Sequence, residues 1–324
     1  MNKIRIGIVG YGNVAAGAVK AISAASDMEL KAVFTRRDTN TVKLQEGSAP
    51  ILPVSAADDM ADNIDVLLLC GGSAKDLPEQ GPYFAKNFNI VDSYDTHSKI
   101  PEYLTAVDAA ATKTTAIIGA GWDPGLFSLM RLYFEAALPD GATYTFWGRG
   151  VSQGHSDAIR RVPGVLHAVQ YTIPVDDAID KVRSGERPIL KPKQKHLREC
   201  YVAVSPEADK TLVEKTIKEM PDYFADYDTT VTFVEVGELF SNHGKMPHGG
   251  VVIRSGNTGK SVHNMEFSLK LESNPEFTGS VMTTYARAAY KMATEGLYGA
   301  KTMFDIPPVY LSEKPRELLI KDLY

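Results

Sequence analysis

Cysteine is scarce in this sequence, with only Cys70 and Cys200 among 324 residues. Two distant cysteines outside any Cys-x-x-Cys motif cannot build a disulfide framework, and they lack the spacing of a thiolate metal site. Cys70 ends an apolar run, so we expect a small buried side chain there rather than a nucleophile. His243, His248 and His263 include no pair at the spacing of metal ligands. The sequence therefore predicts no metal site.

Long apolar runs and a surplus of positive charge are also missing. No run approaches the roughly 18 apolar residues that suggest a membrane helix, and the formal net charge is -5 at pH 7. A negative chain has no general attraction to nucleic acid or anionic lipid, so any bound anion needs locally placed Arg, Lys and backbone N–H groups. The apolar stretch at residues 4–9 is too short for a signal peptide. We therefore expect a cytoplasmic protein with neither a membrane nor a nucleic-acid partner.

The length and the pattern of strands predict two domains, because 324 residues are many for one core. Apolar strands first alternate with helical stretches, which is typical of a doubly wound parallel sheet; these strands are expected at residues 4–9, 28–34, 65–69, 89–91 and 114–118. Aromatic and β-branched strands then favour a mostly antiparallel sheet with helices; they are expected at residues 144–147, 200–204, 231–235, 251–254 and 265–271. A further helix is expected at 278–297. We predict an α/β fold with a dinucleotide-binding domain at 1–120 and an α+β substrate domain at 121–295.

A glycine turn follows the first predicted strand, in the order Gly10, Tyr11, Gly12, Asn13, Val14 and Ala15. This is the Gly-x-Gly-x-x-Ala variant of the dinucleotide fingerprint. The first glycine makes a tight turn, the second lets the backbone approach a pyrophosphate, and the helix N-terminus supplies N–H groups. Similar turns are purely structural in other α/β proteins, but here the required strand and helix flank the turn. The turn therefore predicts a dinucleotide site.

The end of the second predicted strand distinguishes between cofactors. NAD-binding proteins usually carry Asp or Glu there for the ribose 2′-hydroxyl, whereas this chain has Thr35, Arg36 and Arg37. A hydroxyl and two guanidinium groups can bind a 2′-phosphate through charge-assisted hydrogen bonds, and a carboxylate would repel it. The alternative is a solvated arginine pair in a loop. The residues favour NADP.

Four polar runs stand out later in the chain: Asp92-Ser93-Tyr94-Asp95, Gly121-Trp122-Asp123-Pro124-Gly125, Phe146-Trp147-Gly148 with Ser152-Gln153-Gly154-His155-Ser156-Asp157, and Met246-Pro247-His248-Gly249-Gly250. Together with GYGN (10–13), PEQ (78–80), RRVPG (160–164), QYT (170–172), MPDYF (220–224) and NPEF (274–277), they resemble the meso-diaminopimelate D-dehydrogenase family nearly from end to end. Such long ordered matches are far more specific than a glycine fingerprint.

This resemblance implies a Rossmann-like domain, completed by about residues 296–324, and a substrate-binding and dimerisation domain in a homodimer. It implies NADP-dependent oxidative deamination at the D-centre of meso-2,6-diaminopimelate in bacterial lysine biosynthesis. The products would be L-2-amino-6-oxopimelate, ammonia and NADPH, and the reaction would be reversible. Further cofactor contacts are expected from Cys70, Gly71, Gly72, Ser73, Ala74, Asp92, Ser93 and Tyr94.

The same resemblance assigns roles around the substrate. Asp95 and Asp123 would face the D-centre amine and act in catalysis. Apolar walls and the middle of the pocket would come from Trp122, Phe146, Trp147, Gln153, Gly154 and Asp157. The distal L-centre would be bound by Thr172, Arg198, His248 and Asn274.

These residues also suit a diamino diacid on chemical grounds, because each end of such a molecule carries an ammonium and a carboxylate. Asp95 and Asp123 follow strand ends, where open α/β sheets bind ligands. Arg198 can hold both oxygens of one carboxylate. The amine must be neutral when hydride departs, and Asp123 with Asp95 can position it and handle that proton. On spacing alone, Asp123 also fits a turn or N-cap, and Trp122 and Trp147 also fit a core.

Two other functions fit parts of this pattern. A broader NADP-dependent D-amino acid dehydrogenase would keep the fold without needing Arg198. A non-catalytic NADP sensor would need no polar groups for two ends of a substrate. The family has a Ser-Thr pair before Gly-Trp-Asp-Pro, where this chain has Gly119 and Ala120, so we expect a reshaped D-centre pocket within the same reaction class. The two Asp residues and Arg198 favour the diaminopimelate interpretation.

Overall fold

A computed structural model describes residues 3–324 and divides the chain into two units. The first unit reaches from the N-terminal region to Leu129 and includes Pro275–Tyr324, and the second is Met130–Asn274. The sequence placed the boundaries at 120 and 295, so the helical stretch near 278–297 was expected in the second domain. In the structure it belongs to the first unit.

The strands are β1 (Ile4–Val9), β2 (Met28–Thr35), β3 (Ile51–Pro53), β4 (Val66–Leu69), β5 (Asn89–Asp92), β6 (Thr115–Ile117), β7 (Gly141–Trp147), β8 (Gly150–Val151), β9 (Val165–Pro174), β10 (His196–Val204), β11 (Thr229–Phe233), β12 (His248–Thr258), β13 (Ser261–Leu271) and β14 (Gly299–Lys301). The α-helices are α1 (Asn13–Ala24), α2 (Leu77–Phe84), α3 (Ile100–Ala110), α4 (Leu126–Ala137), α5 (Gln153–Arg160), α6 (Asp176–Arg183), α7 (Pro192–Lys195), α8 (Lys210–Lys218), α9 (Val236–His243), α10 (Asn274–Thr294) and α11 (Arg316–Leu323).

The first unit contains a seven-stranded sheet in the order β14-β6-β5-β4-β1-β2-β3. All its strand pairs are parallel, which confirms the predicted doubly wound α/β sheet. The strand order reverses beside β1, because β2 and β3 lie on one side and β4 to β6 on the other. A ligand of such a sheet binds at this reversal, outside the carboxyl ends of the strands.

Side chains from the central strands are buried on both faces of this sheet. Ile6, Ile8 and Leu68 belong to one apolar cluster, while Leu67 and Leu69 belong to another. Successive residues of a strand point to opposite faces, so a continuous apolar run such as 66–69 fills both clusters. This burial fixes where β1 and β4 end, and thereby the position of the loops that follow them.

Helices α1 and α10 of the first unit cross at two glycines. A Cβ placed on Gly17 would lie 2.5 Å from Cα of Glu276, and one on Gly279 would lie 2.4 Å from the carbonyl oxygen of Val14. Both backbones therefore approach more closely than any side chain would permit. Arg287, also on α10, forms a two-pronged ion pair with Asp27 at 2.6 and 2.7 Å. These contacts explain why α10 packs in the first unit.

The second unit contains two sheets, with orders β11-β10-β9-β8 and β13-β12-β7. Every pair is antiparallel except β10 with β11, which agrees with the predicted α+β domain. The sequence did not predict β9, although β9 and β10 are paired from His196 to Val204. Along the described residues, no helix is both long and apolar enough to cross a membrane.

The crossing of α1 and α10 can be tested with Gly17→Ala. Because the new methyl group would meet the backbone of Glu276, we expect the free energy of unfolding to fall by about 2 kcal/mol. Gly237→Ala is the matched control, since nothing lies within 4 Å of a Cβ at this helical position. We expect the control to gain up to about 1 kcal/mol. Urea unfolding measures both, and equal effects would contradict a tight crossing.

Candidate active site

The glycine turn lies where the strand order of the parallel sheet reverses. Gly10 has a φ of +84°, a conformation that glycine adopts without strain. Its N–H donates to the carbonyl of Phe34 at 2.8 Å, and a Cβ there would lie 3.3 Å from the carbonyl carbon of Cys70. The turn therefore fits between the ends of β2 and β4, as a dinucleotide turn requires.

The N-terminus of α1 is open in front of this turn. Gly12 is the N-cap residue and no side chain caps the helix; a Cβ on Gly12 would meet nothing within 4 Å. Asn13 and Val14 form the start of the helix. An uncapped helix N-terminus offers N–H groups and a positive dipole end, which suits a pyrophosphate.

The arginine pair is anchored to both neighbouring turns. Thr35 is buried, and its hydroxyl accepts a hydrogen bond from the backbone N–H of Arg37 at 3.1 Å. The guanidinium of Arg37 donates to the carbonyl of Tyr11. Arg36 forms an ion pair with Asp76 at 2.7 Å, yet 65% of its side chain is exposed. Both guanidinium groups are thus kept at the end of β2, beside the glycine turn.

The loops after β4 and β5 are tied together. The N–H of Gly72 donates to Asp76 at 2.8 Å, and the hydroxyl of Ser73 accepts from the backbone N–H of Asp95 at 2.9 Å. Gly71 and Ala74 lie in the same loop as Gly72 and Ser73. Because β4 and β5 are neighbouring parallel strands, these residues belong to the same edge of the sheet as the glycine turn.

Asp92 and Tyr94, both expected at the cofactor, have buried side chains. Asp92 is completely buried; one oxygen accepts from the N–H groups of Tyr94 and Gly119 at 2.9 and 3.0 Å, and the other from the hydroxyl of Tyr103 at 2.6 Å. Burial raises the pKa of this carboxyl, and the three donors oppose that change. Tyr94 is 2% exposed and stacks on Tyr103. Burial raises the pKa of the Cys70 thiol to about 12. The side chains of Asp92 and Tyr94 face the interior, so the predicted cofactor contacts of these two residues would come from their backbone; Ser93 between them is half-buried.

The two carboxylates expected at the D-centre follow neighbouring strands. Asp95 is exposed, three residues beyond β5, and Asp123 is half-buried in the loop after β6. That loop is anchored where the N–H of Ala120 donates to the carbonyl of Asp92 at 2.7 Å. Trp122 is 7% exposed and meets Phe127 edge to face at 5.3 Å. The parallel sheet thus brings Asp95, Trp122 and Asp123 to one edge.

In the second unit, strand pairing assembles much of the distal group. Thr172 lies directly opposite Arg198 on β9 and β10, and Gly150 lies opposite Thr172 on β8. A Cβ on Gly150 would be 2.5 Å from Cα of His248, so the backbone of β12 packs against β8 at this point. Arg198, Thr172 and His248 therefore form a row that runs from β10 through β9 and β8 to β12, although they are far apart in the sequence.

The segment before His248 adds further residues to this group. The N–H of Asn274 donates to the carbonyl of Met246 at 2.9 Å, and the side-chain amide of Gln153 donates to the sulfur of the same methionine. Gln153 and Gly154 begin α5 and are exposed. Asp157, on the same helix, forms an ion pair with Arg160. Asn274 and Gln153 thus lie beside the row, whereas the carboxylate of Asp157 already has a cationic partner.

Arg198 is a buried cation, with only 6% of its surface exposed. One terminal nitrogen donates to the hydroxyl of Thr172, and Nε has no hydrogen-bond partner among the described residues. Within residues 3–324 no carboxylate is paired with it. Burial lowers the pKa of this guanidinium, and Tyr227 opposes that change. Such a group is a ready receptor for an anion.

The sequence missed His196, which supports Trp147. The Nε2 atom of His196 accepts a hydrogen bond from the backbone N–H of Trp147 at 2.8 Å, and the two rings stack at 5.2 Å. Burial, followed by the positive charge of Arg198, lowers the pKa of His196 to about 3, so the ring is neutral and can accept. A spacing of two residues on β10 from Arg198 was the available signal.

Phe146 does not line a pocket as expected. It is completely buried and packs with Tyr144 and Ile253 in the core of the second unit. Trp147, the next residue on β7, is 36% exposed. Alternation along the strand explains this difference, because neighbouring side chains point to opposite faces. Phe146 therefore supports the fold, and Trp147 is the residue that can meet a ligand.

No group of three His, Cys, Asp or Glu side chains that could hold a metal ion occurs in the described part of the chain.

The first unit has a parallel α/β sheet, with an uncapped helix behind a Gly-x-Gly turn. The second unit has mostly antiparallel sheets and contains the buried Arg198. These features define a Rossmann-like dinucleotide-binding class of enzyme. Comparison with known proteins is more specific. The profile of the diaminopimelic acid dehydrogenase C-terminal domain matches residues 121–273. The meso-diaminopimelate D-dehydrogenase of Acetivibrio thermocellus is 57% identical over 328 residues, covering 100% of this chain and 98% of that protein.

Solved structures agree. The DAP dehydrogenase of Corynebacterium glutamicum in complex with DAP has a TM-score of 0.94 and 44% identity, with 100% of both chains covered. An engineered D-amino acid dehydrogenase bound to NADP+ has a TM-score of 0.88 and 42% identity, again with 100% of both chains covered. This chain belongs to the meso-diaminopimelate D-dehydrogenase family and is an oxidoreductase.

The structural role of Asp92 can be tested with Tyr103→Phe. Loss of the hydroxyl leaves one buried carboxylate oxygen without its donor, so we expect unfolding to become easier by about 2 kcal/mol at pH 7. The hydroxyl lowers the pKa of Asp92, so its removal raises the pKa of the folded state further. The loss of stability should therefore be greatest where the carboxylate is charged, and it should shrink as the pH falls.

Tyr83→Phe is the control for this experiment. Its hydroxyl also donates to a carboxylate, that of Asp58 at 2.5 Å, but the tyrosine is 52% exposed. We expect the control to change the free energy of unfolding by less than about 0.5 kcal/mol. Urea titrations at several pH values measure both variants. A Tyr103→Phe effect as small as that of the control would mean that Asp92 does not organise the end of β5.

Proposed function

We propose that this chain catalyses the NADP-dependent oxidative deamination of meso-2,6-diaminopimelate at its D-centre, in lysine biosynthesis. The products are L-2-amino-6-oxopimelate, ammonia and NADPH, and the reaction is reversible. The observation that carries the proposal is the buried guanidinium of Arg198, which is paired with no carboxylate of residues 3–324. Membership of the family and a relative solved in complex with DAP support the choice of substrate.

Arg198 is the proposed clamp for the carboxylate at the L-centre. Removing a guanidinium from water without a counter-ion is costly, and the carboxylate of a ligand would offset that cost. The hydroxyl of Thr172 holds one edge of the guanidinium. His248 lies in the same row, and Asn274 is attached beside it. A substrate without a distal carboxylate would leave Arg198 uncompensated, so this group favours a diacid.

NADP is the proposed cofactor, and the described residues fit it. The open N-terminus of α1 suits the pyrophosphate. Arg36 and Arg37, with the hydroxyl of Thr35, lie where the 2′-phosphate is expected, and no acidic residue ends β2. A family relative bound to NADP+ supports this choice. When bound, the nicotinamide supplies a hydride acceptor; the protein supplies the orientation.

At the D-centre, Asp95 and Asp123 are the proposed partners of the amine. An ammonium must lose a proton before a hydride can depart from the adjacent carbon, and a carboxylate within hydrogen-bonding distance can hold or accept that proton. Asp123 is half-buried and Asp95 is exposed, so Asp123 is the better candidate for the proton. Trp122 is packed against Phe127 and is the proposed apolar wall. Trp147, with its N–H on His196, is the second.

We further propose that the chain forms a homodimer through the second unit and works in the cytoplasm. Large apolar side chains are exposed in that unit, among them Leu166 at 57% and Phe240 at 55%. Such side chains are common where subunits meet. Cys70 and Cys200 are free thiols, which suits a reducing compartment.

The proposed reaction is tested directly by following NADPH formation with meso-diaminopimelate. We expect turnover with the meso isomer and NADP, and at least a tenfold lower kcat/KM with the L,L isomer or with NAD, a difference of about 1.4 kcal/mol. Absence of turnover with the meso isomer would overturn the proposal. Comparable turnover of simple D-amino acids would instead indicate the broader D-amino acid dehydrogenase.

Two variants separate the ends of the substrate. Arg198→Ala should raise KM for the substrate, because the distal carboxylate loses its partner. We expect the free energy of substrate binding to weaken by roughly 2–4 kcal/mol. Asp123→Asn should chiefly lower kcat, by about 10²–10⁴, because the amine loses its proton acceptor. Steady-state kinetics distinguish these effects, and fluorescence titration should show an unchanged affinity for NADP in both.

Arg187→Ala is the control for the loss of an arginine. Arg187 pairs with Asp140 at 2.9 Å on the surface of the second unit, and we expect its removal to leave both kinetic constants unchanged. A wild-type KM in Arg198→Ala would assign the distal carboxylate to another residue. A wild-type kcat in Asp123→Asn would remove that residue from proton handling.

A further inference from the structure

The guanidinium of Arg198 lies over the face of the Tyr227 ring. The central carbon of the guanidinium lies 3.9 Å from the ring centroid of Tyr227. At this distance the ring stabilises the cation through its electron-rich face. Because Arg198 is only 6% exposed, water screens this attraction weakly. Tyr227 is thus a major partner of a buried charge.

The backbone around Tyr227 is fixed by the strand that carries Arg198. The N–H of Arg198 donates to the carbonyl of Asp228 at 3.0 Å, and the N–H of Tyr227 donates to Phe224 at 2.9 Å. Arg198 is also in register with Thr229 at the start of β11. The ring is therefore held by residues on both sides of it in the sequence, and its place over the guanidinium follows from the pairing of β10 with β11.

The remaining contacts of Arg198 show what this ring does. Thr172 holds one terminal nitrogen, and Nε is enclosed without a hydrogen-bond partner among the described residues. A carboxylate in place of the ring would neutralise the charge and occupy the N–H donors. An aromatic ring stabilises the same charge without neutralising it, so the guanidinium still favours an anionic ligand.

We propose that Tyr227 is a positioning residue that sets the plane of Arg198 for the distal carboxylate of the substrate. This inference rests on the proposed function, because it takes Arg198 as the carboxylate clamp. The ring limits rotation of the guanidinium about its side-chain bonds, and Thr172 fixes its edge. Together they hold the donors in one orientation before the substrate arrives, which reduces the entropic cost of binding.

The test compares Tyr227→Leu with Tyr227→Phe. Leucine keeps an apolar side chain but removes the aromatic face, so we expect KM for meso-diaminopimelate to rise about tenfold, the factor that corresponds to about 1.4 kcal/mol. We expect kcat to change by less than about twofold, because the reacting end of the substrate is not involved. Phenylalanine keeps the ring, and its KM should stay within about twofold of wild type. If Tyr227→Leu does not fold, Tyr227→Met is measured instead.

Phe233→Leu is the matched control. It removes another ring of the second unit, one that lies 5.6 Å from the ammonium of Lys210, and we expect KM to be unchanged. The dissociation constant of NADP separates positioning from general damage, since a positioning role leaves it unaltered. An unchanged KM in Tyr227→Leu, or a parallel loss of kcat and NADP affinity, would overturn the inference while the reaction itself stands. A wild-type protein without turnover of meso-diaminopimelate would overturn the proposed function, and this inference with it.

Discussion

The parallel direction of all seven strands in the first unit determines where its chemistry can occur. Every strand of such a sheet ends at the same edge, so segments far apart in the sequence meet there. The glycine turn after β1, the arginines after β2 and the loops after β4, β5 and β6 are all placed in this way. The buried runs of β1 and β4 keep these ends in register. In the second unit, pairing between neighbouring strands instead places the polar residues, as for Thr172 opposite Arg198.

Several buried polar groups support the two candidate binding regions without facing a ligand. Asp92 collects three hydrogen bonds at the end of β5 and thereby orders the loops that carry Asp95 and Asp123. His196 is kept neutral by burial and holds the backbone of Trp147. In both cases the polar atoms that are buried are also paired, as their desolvation requires. Arg198 differs, because part of its hydrogen-bonding capacity is left without a partner in the described chain.

That difference separates a supporting residue from a receptor. A buried group with all its partners is stable as it is, and a ligand would gain little by approaching it. A buried cation without a counter-ion is stabilised when an anion binds. A carboxylate offsets the desolvation free energy of the cation and a neutral ligand does not, so the site selects a carboxylate. The Tyr227 ring reduces this cost without removing the selectivity, since it stabilises the guanidinium and carries no negative charge of its own. In the second unit, Tyr227 thus stabilises Arg198 in part, and an anionic ligand would stabilise it further.

The sequence by itself determined the parallel α/β sheet, the dinucleotide turn and the family, because these depend on local patterns of apolar residues, glycines and ordered motifs. Strands β3 and β14 were not predicted, because β3 ends in Pro53 and β14 begins with Gly299, and proline and glycine are both rare within strands. The sequence also assigned Phe146 to a ligand contact, whereas complete burial gives this side chain a supporting role. Only the tertiary structure decided that His196 supports Trp147 and that Tyr227 covers Arg198. Those roles depend on contacts between segments that are distant in the sequence. A linear pattern does not show which polar groups become buried, or which of them form hydrogen bonds or ion pairs.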